Sequence, residues 1–285
     1  MIEHILIPTD GSDEAGIAVD HARELAMRFN ATAHVLHVVN VRKMETAPQS
    51  NEMRTKGENL VGSTAEEITQ RGVAVETEVQ TGHPSDCILE YVAKQDIDTI
   101  VMGTHGRTGV RQYLLGSVTE KVIRLSEIPV LTVRLSADRP LNTPYNNILV
   151  PTDGSQGALE ATKWGMAIAG AFDGTIHAFS VVESAVLGID LRTDFQEQIR
   201  ESAEHAVADV VDAAHDEDLD TTAAVSQGIP YREILSYITE YDIDLVVMGT
   251  QGRSKIDRYL LGSVAEKTIR TASIPVMTVR RPATQ

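Results

Sequence analysis

The chain repeats itself once, and that repeat sets its architecture. Ile7-Pro8-Thr9-Asp10-Gly11-Ser12 returns as Val150-Pro151-Thr152-Asp153-Gly154-Ser155. Residues 97–134 align without gaps to 243–280, with 24 of 38 positions identical. The offset is 143 at the first block and 146 at the second, so the second copy holds three extra residues between them. Solenoid units run to about 20–50 residues, far shorter than this period. Each copy is long enough to bury its own core. The 285 residues therefore read as two similar domains, 1–138 and 145–285. The join at 139–144, Arg139-Pro140-Leu141-Asn142-Thr143-Pro144, carries two prolines among polar residues, as a linker does.

Strand-like and helix-like patterns alternate within each copy. His4–Thr9 is a short apolar run that predicts the first strand. Ser12 offers an N-cap, Asp13 and Glu14 put acids in the first turn, and a helical pattern runs to about Phe29. Ala33–Val39 predicts a strand and Glu52–Gln70 a helix ended by Gly72. Val73–Val79 alternates, as a half-buried or edge strand does. Pro84 opens the third helix, and Thr99–Met102, Ser117–Leu125 and Pro129–Val133 follow as strand, helix and strand. The second copy repeats the order at 147–151, 155–171, 174–182, 194–215, 221–226, 230–240, 244–248, 263–271 and 275–279. Asn40–Ser50 and Glu183–Thr193 fit neither pattern and read as loops over a site. Strict alternation predicts an α/β fold, a parallel sheet in each domain with helices on both faces.

The fourth strand runs into Gly103-Thr104-His105-Gly106-Arg107, and Gly116-Ser117 follow, a G-x2-G-x9-G-S pattern. The second copy has it as Gly249, Gly252, Gly262 and Ser263. It is neither a Walker A loop nor the GxGxxG dinucleotide fingerprint. The chemistry still points to an anion. Open α/β sheets hold ligands at the carboxyl ends of their strands. Glycine allows close backbone approach and positive φ, and successive amides there can form an anion-binding nest. Gly116-Ser117 then opens a helix whose first amides and dipole favour negative charge. Ser117-Val118-Thr119-Glu120 and Ser263-Val264-Ala265-Glu266 also fit an S-x-x-E capping box, in which the serine needs no ligand. Capping accounts for the serine alone, not for three glycines returning at identical spacing.

Asp10 and Asp153 stand where the first strand of each copy ends. In a doubly wound sheet of order 3-2-1-4-5, strands 1 and 4 are neighbours, so the acid and the glycine loop face one crevice. An ionised carboxylate there accepts hydrogen bonds from a ribose hydroxyl or a base amino group. Thr-Asp-Gly-Ser is equally good turn chemistry without a ligand. Arg107 and Arg253 follow the second glycine and are candidate phosphate partners, or ion-pair partners of a nearby acid. His105 either reaches a phosphate or is solvated. Pro8 and Val118, with Pro151 and Val264, complete the candidate set.

Composition excludes several classes. Apolar residues at 42% and charged residues at 23% are ordinary globular values, not those of a disordered chain. A formal net charge of −16 disfavours nucleic acid and anionic membrane surfaces as partners. No apolar run approaches the roughly 18–20 residues of a membrane span. The N-terminus lacks the basic and long apolar regions of a signal peptide. With Cys87 as the single cysteine, a reducing cytoplasmic location is expected. Cys87 reads as a small buried hydrophobe. His34 and His37, three apart on a strand, point to opposite faces, and no metal-site spacing is present.

Gly103-Thr104-His105-Gly106-Arg107-Thr108-Gly109, Leu114-Leu115-Gly116-Ser117-Val118-Thr119-Glu120-Lys121-Val122 and Ile128-Pro129-Val130-Leu131-Thr132-Val133 together resemble the C-terminal half of a universal stress protein domain. Ile7-Pro8-Thr9-Asp10-Gly11-Ser12 resembles that family's first strand and turn. The resemblance covers both copies nearly end to end. It implies two tandem Rossmann-like domains, related to the adenine-nucleotide α-hydrolases, each a five-stranded parallel sheet. Members that keep G-x2-G-x9-G-[ST] typically bind ATP; an acid beside bare phosphates sits poorly unless a divalent cation intervenes, so Mg2+ or Mn2+ is the companion ion to look for. The resemblance sets Asp10 and Asp153 against the nucleoside. A main-chain group at Val38 or Val39, or at Val181 or Val182, would meet the adenine. Gly103, Gly106, Gly116 and Ser117 would hold ribose and phosphates, as would Gly249, Gly252, Gly262 and Ser263. Family domains commonly pair through strand 5, so Ile128–Val133 and Ile274–Val279 are expected to form an internal pseudo-dimer, open to further homo-oligomerisation.

Between the glycines the copies diverge: His105 becomes Gln251, Gly109 becomes Lys255 and Arg111 becomes Asp257. The acid Asp257 near phosphates predicts weaker binding in the second copy. No Ser-His-Asp set or nucleophile elbow is present, so no catalytic base is nominated. The expected function is an ATP-binding stress-response module with regulatory action. A slow nucleotide hydrolase or transferase and a ligand-free scaffold are the alternatives.

Overall fold

The computed structural model describes residues 2–41, 47–106, 115–135, 145–183, 193–252 and 261–281. The chain divides into two compact units, Met1–Asn142 and Thr143–Gln285. Unit 1 runs β1 (His4–Pro8), α1 (Asp13–Phe29), β2 (Thr32–Asn40), α2 (Ala47–Thr69), β3 (Val75–Gly82), α3 (Pro84–Lys94), β4 (Thr99–Gly103), α4 (Ser117–Leu125) and β5 (Val130–Val133). Unit 2 runs β6 (Asn147–Pro151), α5 (Gln156–Phe172), β7 (Thr175–Glu183), α6 (Thr193–His215), β8 (Thr221–Gly228), α7 (Pro230–Glu240), β9 (Leu245–Gly249), α8 (Ser263–Thr271) and β10 (Val276–Val279).

Within unit 1 the strand order is β3-β2-β1-β4-β5, and within unit 2 it is β8-β7-β6-β9-β10. All these pairings are parallel. This is the 3-2-1-4-5 arrangement of a doubly wound fold. The central strands carry continuous apolar runs because helices cover both faces. Ile5, Leu6 and Ile7 of β1 are fully buried, as are Ile148, Leu149 and Val150 of β6. β3, which alternates, stands at the end of its order and is only part-buried. No helix of the described residues is long and apolar enough to cross a membrane.

Local chemistry fixes where the helices begin. Ser12 is extended, and its Oγ accepts the Ala15 amide at 3.3 Å; Ser155 does the same for Ala158 at 3.3 Å. Asn30 and Asp173 close these helices in the left-handed conformation. Asp98 fastens the start of β1, with Oδ2 accepting the Glu3 and His4 amides at 2.7 and 2.9 Å. Asp244 holds the Asn146 and Asn147 amides in the same way.

Two expectations need correcting. Asn40–Ser50 is not all loop: β2 extends to Asn40, and α2 starts at Ala47, five residues before Glu52. Pro48 stands in that first turn, where a missing amide costs little. Cys87 is half-buried rather than buried. The 143 offset holds to Asn40 against Glu183, and the 146 offset holds from Ala47 against Thr193. The three extra residues of the second copy therefore fall within 184–192, which lies outside the described residues, as does the expected linker 139–144.

Candidate functional site

Each unit holds a cavity lined by the carboxyl ends of its strands. Site 1, in unit 1, encloses about 400 Å³ and brings together Pro8, Asp10, Val38, Val39, Gly103, Gly106, Gly116, Ser117 and Val118. Site 2, in unit 2, encloses about 370 Å³ and brings together Pro151, Asp153, Val181, Gly249, Gly252, Gly262, Ser263 and Val264. Val182 is buried and does not line site 2. Arg107 and Arg253 lie outside the described residues, together with Gly109, Arg111, Lys255 and Asp257.

The aspartates serve two purposes. Asp10 Oδ1 accepts the Ser12 amide at 3.0 Å, which is turn chemistry. Its Oδ2 reaches the glycine loop, where a Cβ on Gly106 would lie only 2.5 Å away. Asp153 repeats this, with the Ser155 amide at 3.0 Å and a Gly252 Cβ falling 2.6 Å from Oδ2. The carboxylate and the loop therefore share one crevice, and glycine leaves room for that contact.

Gly103 has a different reason. A Cβ there would meet Glu14 Cβ at 2.9 Å and the Glu14 backbone carbon at 3.2 Å, so the bare position lets α1 pack on β4. In unit 2, a Cβ on Gly249 would meet the Gly157 backbone at 2.8 Å. The expected positive φ is not used at any of these sites. Among the described residues, Gly11, Gly72 and Gly154 are the glycines with positive φ. Contact room selects the motif glycines, because their neighbours approach too closely for a side chain.

The start of α4 also departs from expectation. Gly116, at φ −63 and ψ 142, is the N-cap, and its carbonyl accepts the Glu120 amide at 2.8 Å. No side chain caps the helix. Ser117 is already the first helical residue and does not act as the serine of a capping box. Gly262 occupies the same role before Ser263 in α8. The Gly116 amide is itself engaged, donating to the Thr104 carbonyl at 2.9 Å, as Gly262 donates to Thr250 at 2.8 Å. The orphan donors of the first turn are therefore the amides of Ser117, Val118 and Thr119.

Sequence reasoning missed the wall supplied by α2. His37 lines site 1, and its Nδ1 donates to the Thr9 carbonyl at 2.8 Å. Its ring lies against Gly57, where a Cβ would come within 2.6 Å of Cδ2. Met53, Lys56 and Leu60 also line this site. A glycine inside a helix is the signal that something packs closely there. By the repeat offsets, unit 2 has Ser180 for His37 and Ala203 for Gly57. Asn40 lines site 1 where Glu183 lines site 2. His34, on the other face of β2, is buried against Tyr91 of α3 at 3.0 Å.

An ionisable group borders site 1 alone. His105 is not solvated: its side chain is 9% exposed, with Nδ1 3.1 Å from Thr104 Oγ1 and 3.8 Å from Glu14 Oε1. Burial, then the nearby Arg134 charge, pushes the His105 pKa down. Burial pushes the Glu14 carboxyl up, and Arg134 partly opposes this. The pair stays neutral more readily than free side chains would. Unit 2 has Gly157 and Gln251 at these places.

The two units thus define a class: a tandem doubly wound α/β protein in which an aspartate, a glycine loop and an uncapped helix N-terminus meet at each sheet's switch point. The sequence model of the Universal stress protein family matches residues 1–134 and 144–280, and the chain belongs to that family. A universal stress protein of Methanocaldococcus jannaschii is 36% identical over 141 residues, spanning 47% of this chain and 83% of that one. One of Mycobacterium tuberculosis is 28% identical over 302 aligned positions, covering 97% of both chains. The solved structure of a universal stress protein from Archaeoglobus fulgidus shares the fold, with a TM-score of 0.77, 24% identity and 98% of each chain covered.

Proposed function

We propose that each unit binds an adenine nucleotide, ATP above others, and that occupancy makes the chain a regulatory module of the stress response. The observation that carries this reading is the twice-built α4 and α8 start. A glycine N-cap leaves first-turn amides unsatisfied at the edge of a cavity that also holds an acid. Those amides and the helix dipole suit phosphate oxygens. Asp10 and Asp153 suit a ribose hydroxyl or base amino group, since a carboxylate only accepts. The strand end at Val38 and Val39 offers backbone groups to the base edge. In unit 2, Val181 does so. Adenine itself comes from the family resemblance, not from the geometry.

Asp10 is the carboxylate lining site 1, while Asp153 and Glu183 line site 2. A Mg2+ or Mn2+ ion carried with the phosphates would draw on these oxygens. A cytoplasmic location, with reduced thiols and abundant ATP, fits this reading. Chromatography of nucleotide released from purified, acid-denatured protein tests it. Adenine nucleotide that is absent from the Gly106→Val, Gly252→Val double variant is the expected result. A wild-type protein that is empty, and stays empty after incubation with ATP and Mg2+, contradicts it.

A further inference from the structure

The rims of the two sites differ in charge. In unit 1, Pro84 opens α3 and Ser117 opens α4, and both line site 1. Beside them Lys121 Nζ meets Asp86 Oδ1 at 2.5 Å, so the pair cancels. The matching positions of unit 2 are Arg232 and Lys267, with Tyr231 in place of Ser85. An acid has become a base. Arg232 Nε donates to Tyr231 Oη at 3.1 Å, and Lys267 Nζ stands 4.8 Å from the centre of the same ring. The aromatic face thus gathers two cations. The hydrogen bond from Arg232, with the Arg232 and Lys267 charges, draws the Tyr231 phenol below its usual pKa.

The acids next in sequence are engaged elsewhere. Glu233 accepts from Ser226 Oγ at 2.6 Å, and Glu266 pairs with Arg270 at 2.8 Å. Among the described residues, no salt bridge involves Arg232 or Lys267. In a chain of net charge −16, two cations gathered without an acid run against the composition. Both are exposed, and both stand on helices whose first residues line the cavity. Lys267 is one helical turn from Ser263 and shares its helix face, and Arg232 is tied to Tyr231, which directly follows Pro230 at the start of α7.

We propose that Arg232 and Lys267, gathered on Tyr231 at the mouth of site 2, form an anion subsite that unit 1 lacks, holding the far end of a polyphosphate. This rests on the nucleotide reading, in which base and ribose occupy the crevice. The first-turn amides of α8 then take the nearer phosphate, and the guanidinium and ammonium groups meet the added charge. Site 2 separates a nucleoside triphosphate from a monophosphate more steeply than site 1, where Asp86 holds the equivalent place.

Calorimetry on the 285-residue chain tests this, with Gly106→Val leaving site 2 and Gly252→Val leaving site 1. The probes are AMP, ATP and inorganic tripolyphosphate. The ATP-to-AMP affinity ratio should be about tenfold larger at site 2, a charge-assisted effect. Arg232→Asp, which installs the unit 1 residue, should remove that excess, and Arg232→Gln should remove part of it if the first variant unfolds. Equal ratios at the two sites, or a ratio indifferent to both variants, overturns the subsite. Tripolyphosphate binding that needs Arg232, with no nucleotide bound, keeps the subsite and removes the nucleotide reading. Silence from all three probes removes both.

Discussion

Site 1 and site 2 share one backbone plan and differ in the side chains around it. A Cβ placed on Gly106 would fall 2.5 Å from Asp10 Oδ2, and one on Gly252 2.6 Å from Asp153 Oδ2. The amide of the N-cap glycine donates to a strand-end carbonyl at 2.9 and 2.8 Å. Around that plan, His37 and Gly57 correspond to Ser180 and Ala203, Glu14 and His105 to Gly157 and Gln251, and Asp86 to Arg232. These changes come in touching sets. A large ring beside a glycine is exchanged for a small residue beside an alanine, and an acid–histidine neighbour pair is exchanged for a glycine and an amide. After duplication, the groups that act through the backbone were held while the walls and rims moved together.

The largest effects should separate two glycines of one motif. Gly103→Val sets a side chain against the Glu14 backbone, which cannot swing aside, and should destabilise unit 1 by about 2–3 kcal/mol in urea unfolding. Gly106→Val meets only the Asp10 carboxylate, so it should abolish ligand binding at site 1 while losing far less stability. Equal stability losses would erase the distinction between a packing glycine and a site glycine.

Next comes the wall. Gly57→Ala should destabilise because His37, fixed by its bond to the Thr9 carbonyl, cannot retreat. Adding His37→Ser recreates the unit 2 pair and should restore stability, since alanine suits a helix better than glycine by about 1 kcal/mol. A double-mutant cycle should report a coupling of about 1–2 kcal/mol, and simple additivity would contradict the packing account.

Acid should act on both units. Burial lowers the pKa of His34 and of His177, with Glu76 and Asp244 opposing in the respective units and His4 adding to the effect in unit 1. Burial holds His21 down to about 4. The unfolded chain therefore takes up protons first as pH falls below about 6.5. Stability is full above that value and is lost as pH falls toward the depressed folded values. Thermal melts from pH 7.5 down to 5 should show a falling midpoint. A midpoint that rises on acidification would contradict these burials.

The smallest contrast sets two serines side by side. Ser12→Ala removes a cap and should cost about 1 kcal/mol. Ser117→Ala removes no cap and should leave urea stability nearly unchanged. A matching loss at Ser117 would restore the capping-box reading.

Much of this was legible in the residues. The repeat, the alternation and the apolar runs of β1 and β4 set the fold, because strands buried on both faces carry little else. The meeting of Asp10 with Gly106 followed from strand order. The N-cap was misread because S-x-x-E fits two registers, and only the Glu120-to-Gly116 hydrogen bond separates them. The packing role of Gly103 was hidden because a glycine at a strand end looks the same whether a helix or a ligand approaches it. The α2 wall and the Arg232–Tyr231–Lys267 rim were hidden because each joins residues from elements whose facing is not written in their spacing. For α2, only Gly57 gave a sign.

Native mass spectrometry of the intact chain, titrated with ATP and Mg2+, tests the central claim most directly. The account predicts one ATP increment for each unit, with Gly106→Val and Gly252→Val each removing one and the double variant removing both. A chain that gains no increment, or gains increments that none of these variants alters, would contradict it.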